Sequence, residues 1–264
     1  MSDMSEHDQT RPERASVTPP TPGPTGVLLI DKTLGHTSAS VCNNIKRRLR
    51  RGGAPKRVKV GHGGTLDPLA SGVLVVLIGK ATRCSAQVMG GAKTYEASVD
   101  LSCVSPTDDL EGETTVIDVP SPPSEADVRA ACARFVGEIQ QRPPAHSAMR
   151  IDGTRAYKLA RSGQGPQLAA RPVRIDRCEL TEYAWPIARL EIDCGKGTYI
   201  RSLARDLGES LGTGGVLAGL RRTRVGMFTI DRAKRVDDLA EVLTEADLER
   251  PEAFGLVIPP KGQG

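Results

Sequence analysis

Gly26-Val27-Leu28-Leu29-Ile30 is an apolar run with no polar interruption and predicts a short buried strand. Thr37 or Ser38 can cap the helix that follows, which runs to about Arg50. Further strands are expected near Val58–Val60, Val73–Ile78 and Lys93–Leu101, with a short helix near Ala81–Met89. Ser102 to Gly112 reads as an acidic loop. Ser124-Glu125-Ala126-Asp127 has the form of a capping box and opens a helix to about Val136. Arg142-Pro143-Pro144 interrupts regular structure. Ile151-Asp152-Gly153-Thr154 predicts a hairpin or turn, and Arg155–Arg161 a short helix. Val173–Tyr183 and Arg189–Cys194 alternate as strands about a turn near Pro186. Thr198–Leu211 is amphipathic, with Gly212 as its stop.

Strands and helices mix without a βαβ repeat, which predicts an α+β fold with a mixed, mainly antiparallel sheet and flanking helices. No internal repeat is visible. Residues 1–24, with Thr18-Pro19-Pro20-Thr21-Pro22-Gly23-Pro24, lack apolar periodicity and are expected to be a disordered tail. The folded unit is expected over 25–245, followed by a short irregular tail over 246–264.

Composition narrows the class. The 264 residues are 38% hydrophobic, enough for a sizeable core, but only 3% aromatic, so that core is aliphatic. Lys and Arg total 36 against 32 acidic residues, and this mild surplus does not by itself argue for nucleic acid. The six cysteines form no C-x-x-C pair and the four histidines are scattered, so no zinc or iron–sulfur pattern emerges. The expectation is a reduced cytoplasmic protein without metal or cofactor. The longest apolar run, Val73–Ile78, is too short to span a bilayer, and the polar N-terminus has no signal-peptide pattern.

Charge is uneven. Lys46, Arg47, Arg48, Arg50, Arg51, Lys56, Arg57 and Lys59 crowd one stretch with no acidic residue among them. Arg221, Arg222 and Arg224 form a second cluster, and Arg232, Lys234 and Arg235 a third. Such clusters suit a phosphate backbone, or are simply a solvated face.

Three segments could carry chemistry. Gly61-His62-Gly63-Gly64-Thr65-Leu66-Asp67-Pro68-Leu69 is a stiff turn able to present Asp67 as a nucleophile. Spacing alone favours the plainer reading, an Asp-Pro that initiates a turn or caps a helix. Gly195-Lys196-Gly197-Thr198-Tyr199-Ile200-Arg201 approaches a helix on which Arg201 and Arg205 share a face. An arginine there could fork a carboxylate, or pair with Asp206 or Glu209 on the surface. Tyr95, in Lys93-Thr94-Tyr95-Glu96, could stack on a base or be a half-buried strand aromatic.

In order along the chain, these segments resemble the TruB family of tRNA pseudouridine synthases. The resemblance is carried by Gly26 to Lys32, Gly35-His36-Thr37-Ser38, Gly61-His62, Gly64, Leu66-Asp67-Pro68-Leu69-Ala70 and Gly72. It continues through Lys93-Thr94-Tyr95, Arg142-Pro143-Pro144, Ser147-Ala148, Arg155-Ala156-Tyr157, Arg171-Pro172-Val173, Gly197 to Arg201 and Leu220-Arg221-Arg222. It spans roughly residues 26 to 222. What the resemblance implies is an isomerase that converts the T-loop uridine of tRNA, position 55, to pseudouridine after flipping the base out. Asp67 would be the catalytic aspartate, Tyr95 would stack on the target base and Arg201 would pair with Asp67. His62 would steady the place left by the uridine, Lys32 would pack beside the site, and Leu220 would wall the base pocket. Tyr199 would join the substrate contacts.

The family fold has an RNA-gripping insertion, expected near 138–172. The partner would be the tRNA T arm, bound by a monomer without guide RNA, membrane or metal. Two departures stand out. Lys32-Thr33 replaces the usual Lys-Pro, and little follows Glu245 where bacterial members usually carry an RNA-binding domain. Two other readings remain: a non-catalytic tRNA-binding or folding protein, and a base-excising glycosylase.

Overall fold

The computed structural model describes residues 23–145, 150–151, 154–155 and 168–261. The chain begins with β1 (Gly26–Lys32), α1 (Ser38–Arg51), β2 (Val60–His62) and β3 (Ala70–Ile78). A 3-10 turn (Gly79–Cys84) leads into α2 (Ser85–Gly90), β4 (Lys93–Asp100), β5 (Cys103–Val104) and β6 (Thr115–Val116). Then come α3 (Glu125–Ala133), β7 (Gly137–Gln141), β8 (Arg150–Ile151), β9 (Thr154–Arg155), β10 (Arg171–Ala184) and β11 (Ile187–Cys194). The last elements are α4 (Ile200–Leu211), β12 (Val216–Val225), β13 (Phe228–Thr229) and β14 (Lys234–Arg235).

One large sheet runs β14-β1-β3-β12-β4-β11-β10-β7, with β13 on β12 and β2 on β3. Among the described residues, β1/β14 and β3/β12 pair in parallel and the other pairs in this sheet are antiparallel. The α+β expectation therefore holds.

Burial explains the pattern of each strand. β1 and β3 are covered on both faces, so they read as continuous apolar runs. Leu28, Ile30, Leu74, Val76 and Ile78 pack under Val41, Ile45 and Leu49 of α1. Val27, Leu29, Val73, Val75 and Leu77 face Val88, Phe228 and Phe254 on the other side. β4, β10 and β11 are covered on one face by α3 and α4, through Val128, Cys132, Leu203 and Leu207, so they alternate. Residues near the C-terminus join this body: Val27 and Glu249 exchange backbone bonds of 2.8 and 3.0 Å, and Phe254 and Leu256 are buried.

Several expectations shift. The strand placed at Val58–Val60 lies at Val60–His62, because Val58 closes a turn onto Pro55 and is buried in the α1 core. The helix placed over Ala81–Met89 is a 3-10 turn followed by one short α-helix. α3 has the foreseen Ser124–Asp127 capping box but ends at Ala133. Arg134, Phe135 and Val136 instead bond three residues back, which tightens the chain before Gly137. The Ile151–Thr154 turn is a small hairpin of β8 and β9. The helix expected over Arg155–Arg161 lies outside the described residues, apart from Arg155 in β9. So do residues 1–22 of the expected tail and most of 146–167 within the expected insertion. β12, central to the sheet, was not foreseen: Arg221, Arg222 and Arg224 mask its alternation.

Candidate active site

The turn that carries Asp67 precedes β3 and is fixed at its backbone. Gly64 has φ +131°, and a Cβ on Gly63 would stand 2.3 Å from Val88 Cγ1, so neither position takes a side chain easily. Ser38 Oγ, at the first turn of α1, accepts from Leu66 N at 2.9 Å and donates to Leu66 O at 3.0 Å. Ala70 N donates to Asp67 O at 3.0 Å, and Gly35 N to Pro68 O at 2.9 Å. The Asp67 side chain stays 44% exposed.

Arg201 meets it from the first turn of α4. Its Nη2 lies 3.1 Å from Asp67 Oδ2, and its Nη1 lies 3.2 Å from Asp109 Oδ2. Nη1 also donates to Thr107 O at 3.3 Å. Asp109 is itself held, accepting from Thr107 Oγ1 at 2.6 Å and Glu111 N at 3.0 Å. Sequence reasoning missed Asp109. The loop had only its acidity and the Thr107–Gly112 turn pattern to offer as a signal. Arg205 follows the alternative reading, pairing with Asp206 at 2.7 Å and Asp108 at 2.9 Å.

Asp67, Arg201 and Leu220 line one cleft, with Leu69, Ala70, Asp109 and Leu217 to Gly219. Its free volume is about 20 Å³, room for about one water. It adjoins a groove of about 540 Å³ that shares Leu69, Ala218, Gly219 and Leu220 and adds Leu34, Glu96, Arg189 and Arg221.

Lys32, Gly72, Arg222 and Tyr95 stand in register across four neighbouring strands. Lys32 is fully buried, and its ammonium donates to Thr33 O at 3.1 Å and His36 O at 2.8 Å. Burial lowers its pKa to about 8, with the nearby Asp67 charge opposing and Arg222 adding to the fall. The threonine that replaces proline at 33 thus offers its carbonyl to Lys32. Tyr95 is buried in the core cluster against which Leu220 packs, and burial raises its phenol pKa while Arg222 opposes. His62 and Tyr199 make no hydrogen bond to Asp67. His62 is held toward the neutral form by burial first and Arg222 second, and its Nδ1 has no hydrogen-bond partner among the described residues. Tyr199 lies under Arg171, whose guanidinium carbon is 5.3 Å from the ring centroid. Its main chain is gripped at both ends by the Gln141 amide, at 2.8 and 3.1 Å.

The basic clusters divide. Arg221 forks Asp31 at 2.9 and 3.1 Å, Arg224 reaches Asp193 at 3.1 Å, and Arg222 is buried. In this second cluster, then, Arg222 is buried, while Arg221 and Arg224 are partly exposed and paired with carboxylates. In the first cluster, Arg48 is buried, whereas Arg47, Lys56, Arg57 and Lys59 are exposed. No helix among the described residues is long and apolar enough to cross a membrane.

A carboxylate in the turn before β3 is thus paired with a guanidinium on α4. The model of the TruB family pseudouridylate synthase N-terminal domain matches residues 50–200. The model of the tRNA pseudouridylate synthase B C-terminal domain matches 201–260. A tRNA pseudouridine synthase B of Arthrobacter sp. (strain FB24) is 45% identical over 240 residues, covering 89% of this chain and 76% of its own. The one from Phocaeicola vulgatus is 42% identical, covering 84% of this chain and 95% of its own. Among solved structures, a Cbf5-Nop10-Gar1 complex aligns with TM-score 0.58 at 33% identity over 77% of this chain. An H/ACA RNP bound to a substrate RNA containing 2'-deoxyuridine gives 0.59 at 31% over 81%. This chain spans about half the length of those two chains, 50% and 52%. The chain belongs to the TruB family of pseudouridylate synthases. It is a pseudouridine synthase, an isomerase.

Proposed function

We propose that the protein converts uridine 55 in the T loop of tRNA to pseudouridine, with Asp67 acting on the extruded nucleotide. The observation that carries this is the Asp67–Arg201 pair at 3.1 Å in a cleft walled by Leu220. tRNA as substrate is supported by the names of the relatives from Arthrobacter and Phocaeicola, and the exposed cations Arg47, Lys56, Arg57 and Lys59 suit its backbone.

Flipping a base costs roughly a few kcal/mol. Stacking on Tyr95 and contact with Leu220 offset part of that, and His62 and Tyr199 steady the RNA around the vacated place. Asp67 attacks a carbon of the nucleotide or takes a ribose proton. The bond from the ribose carbon to N1 breaks, uracil turns, and a bond to C5 forms; the C5 proton leaves to water while N1 takes up a proton from water, so the product is an isomer of the substrate. The change is redox-neutral. Arg201 aims the carboxylate, and Asp109 holds Arg201. The enzyme acts as a monomer without guide RNA and grips RNA near 138–172, and the body expected over 25–245 continues through Leu256.

Tritium release from tRNA transcript labelled at uracil C5 tests the chemistry, and carbodiimide mapping of tRNA from cells lacking the protein tests the position. Asp67→Asn should abolish release while tRNA binding stays nearly intact. Persistent pseudouridine at position 55 in the deletion strain would refute the substrate assignment. A non-catalytic tRNA-binding protein would release no tritium, and a glycosylase would release free uracil.

A further inference from the structure

Five consecutive carbonyls carry the turn from Gly64 to Pro68, and each has a donor. Backbone amides take Asp67 O and Pro68 O. Side chains take the other three. Arg222 Nη2 donates to Gly64 O at 3.1 Å and Nη1 to Thr65 O at 3.2 Å. Ser38 brackets Leu66 with one hydroxyl, donating to its carbonyl and accepting from its amide. Arg222 Nε reaches Val73 O at 2.9 Å, so one rigid guanidinium ties the turn to β3.

The Arg222 side chain is costly where it sits. Arg222 is 2% exposed, and among the described residues no carboxylate lies within ion-pair distance of it. A buried cation held by carbonyls and the Tyr95 hydroxyl, with no carboxylate beside it among the described residues, loses solvation that an apolar residue of similar size would not. What only a guanidinium supplies is a planar fork reaching three carbonyls at once. Its backbone is equally constrained. Gly72 has φ +103°, and a Cβ there would stand 2.1 Å from Arg222 O, so β12 is pressed against β3 at this point. Ser38 is buried too, and it spends its hydroxyl on the turn while Thr37 caps α1.

We propose that Arg222 and Ser38 are positioning residues that hold the turn from Gly64 to Pro68 so that Asp67 stands where it reacts. The proposal rests on the role given to Asp67 above. A misplacement of about 1 Å at a reacting group can cost about 10²-fold in rate.

The test uses the full chain with Ser38→Ala and Arg222→Lys, the second keeping the charge but not the fork. Thermal melting shows which variants are folded at the assay temperature. Single-turnover tritium release gives the chemical rate, and filter binding at the same salt gives the tRNA Kd. The expected result is a rate lowered about 10- to 100-fold in each variant with Kd within about two-fold of the parent. A folded variant with a parental rate, or a Kd loss large enough to explain the rate loss, overturns the proposal. If Arg222→Lys does not fold, Ser38→Ala decides; if neither folds, both residues are merely structural and the proposal is overturned. Asp67→Asn is run alongside. Turnover by that variant sinks the Asp67 role itself, whereas an inactive Asp67→Asn beside parental clamp variants sinks only this proposal.

Discussion

Arg201 Nη2 stands 3.1 Å from Asp67 Oδ2, and the two side chains differ in exposure: 10% for the arginine, 44% for the aspartate. The cation is fixed in the protein while the carboxylate remains reachable. Asp109 makes that fixity possible by taking Nη1 at 3.2 Å. Arg201→Lys keeps a positive charge but cannot span both carboxylates. Its single-turnover rate should fall by roughly 10²-fold, the scale of a mispositioned reacting group, with little change in tRNA affinity. Comparing tritium release with filter binding checks this; equal losses in both would show that Arg201 serves RNA binding instead.

The parts of this site differ in how openly the sequence declares them. Asp67 and Arg201 sit in Gly-punctuated segments whose local patterns signal a turn and a helix start, but each stood out as a site residue only through the ordered resemblance to the family. Asp109 and Arg222 did not. Arg222 bonds to carbonyls of Gly64, Thr65 and Val73, and a carbonyl leaves no trace in residue identity. β12 was hidden for a related reason. Its three arginines are taken up by carboxylates or backbone carbonyls of the protein itself, so the strand imitates a surface charge run. β1 and β3 were legible because both of their faces are dry. The Arg205 alternatives were separable only by three-dimensional proximity to Asp108, which lies in a distant loop.

Lys32 should leave a signature in stability against pH. Burial lowers its ammonium to about 8, against about 10.4 for a free lysine. Below about pH 8 both folded and unfolded chains carry the proton, and the cost of the buried charge is felt in full. Between about 8 and 10.4 the folded protein has released it while the unfolded chain keeps it, so stability contributed at this position rises with pH. The gain is at most about 3 kcal/mol. Urea denaturation of the parent and Lys32→Met at pH 7 and pH 10 isolates it, since other titrations cancel. Stability differences that are the same at both pH values would contradict the lowered pKa.

Tyr95 separates ring from hydroxyl. The ring belongs to the core cluster against which Leu220 packs, and the hydroxyl end meets the Arg222 charge. Tyr95→Phe keeps the aromatic face, and its rate should stay within about ten-fold of the parent. Tyr95→Leu fills much of the same space without a π face. If stacking on the target base is worth about 1–3 kcal/mol, the leucine variant should be slower than the phenylalanine variant by roughly 5- to 150-fold. Melting temperatures for both variants guard against a packing artefact. Equal rates for leucine and phenylalanine would remove Tyr95 from a stacking role.

The basic stretch after β1 contains two kinds of cation, and salt tells them apart. Lys56, Arg57 and Lys59 are exposed, and among the described residues no carboxylate pairs with them. Arg48, in the same run, is buried and donates to Asn44 Oδ1 at 2.8 Å, to Ala240 O at 2.9 Å and to Leu239 O. Replacing Lys56, Arg57 and Lys59 by Gln should weaken tRNA binding uniformly. It should also flatten the plot of log K against log salt by up to about 2–3, since each lost phosphate contact removes about 0.7–0.9 from the slope. Melting temperature should hardly move. Arg48→Gln should do the reverse: the salt slope stays, and stability falls by about 1–3 kcal/mol as buried carbonyls lose their donor. A triple variant with the parental salt slope would show that this surface does not touch the RNA backbone, and would leave the exposed Arg47, Lys234 and Arg235 as the cations to test next.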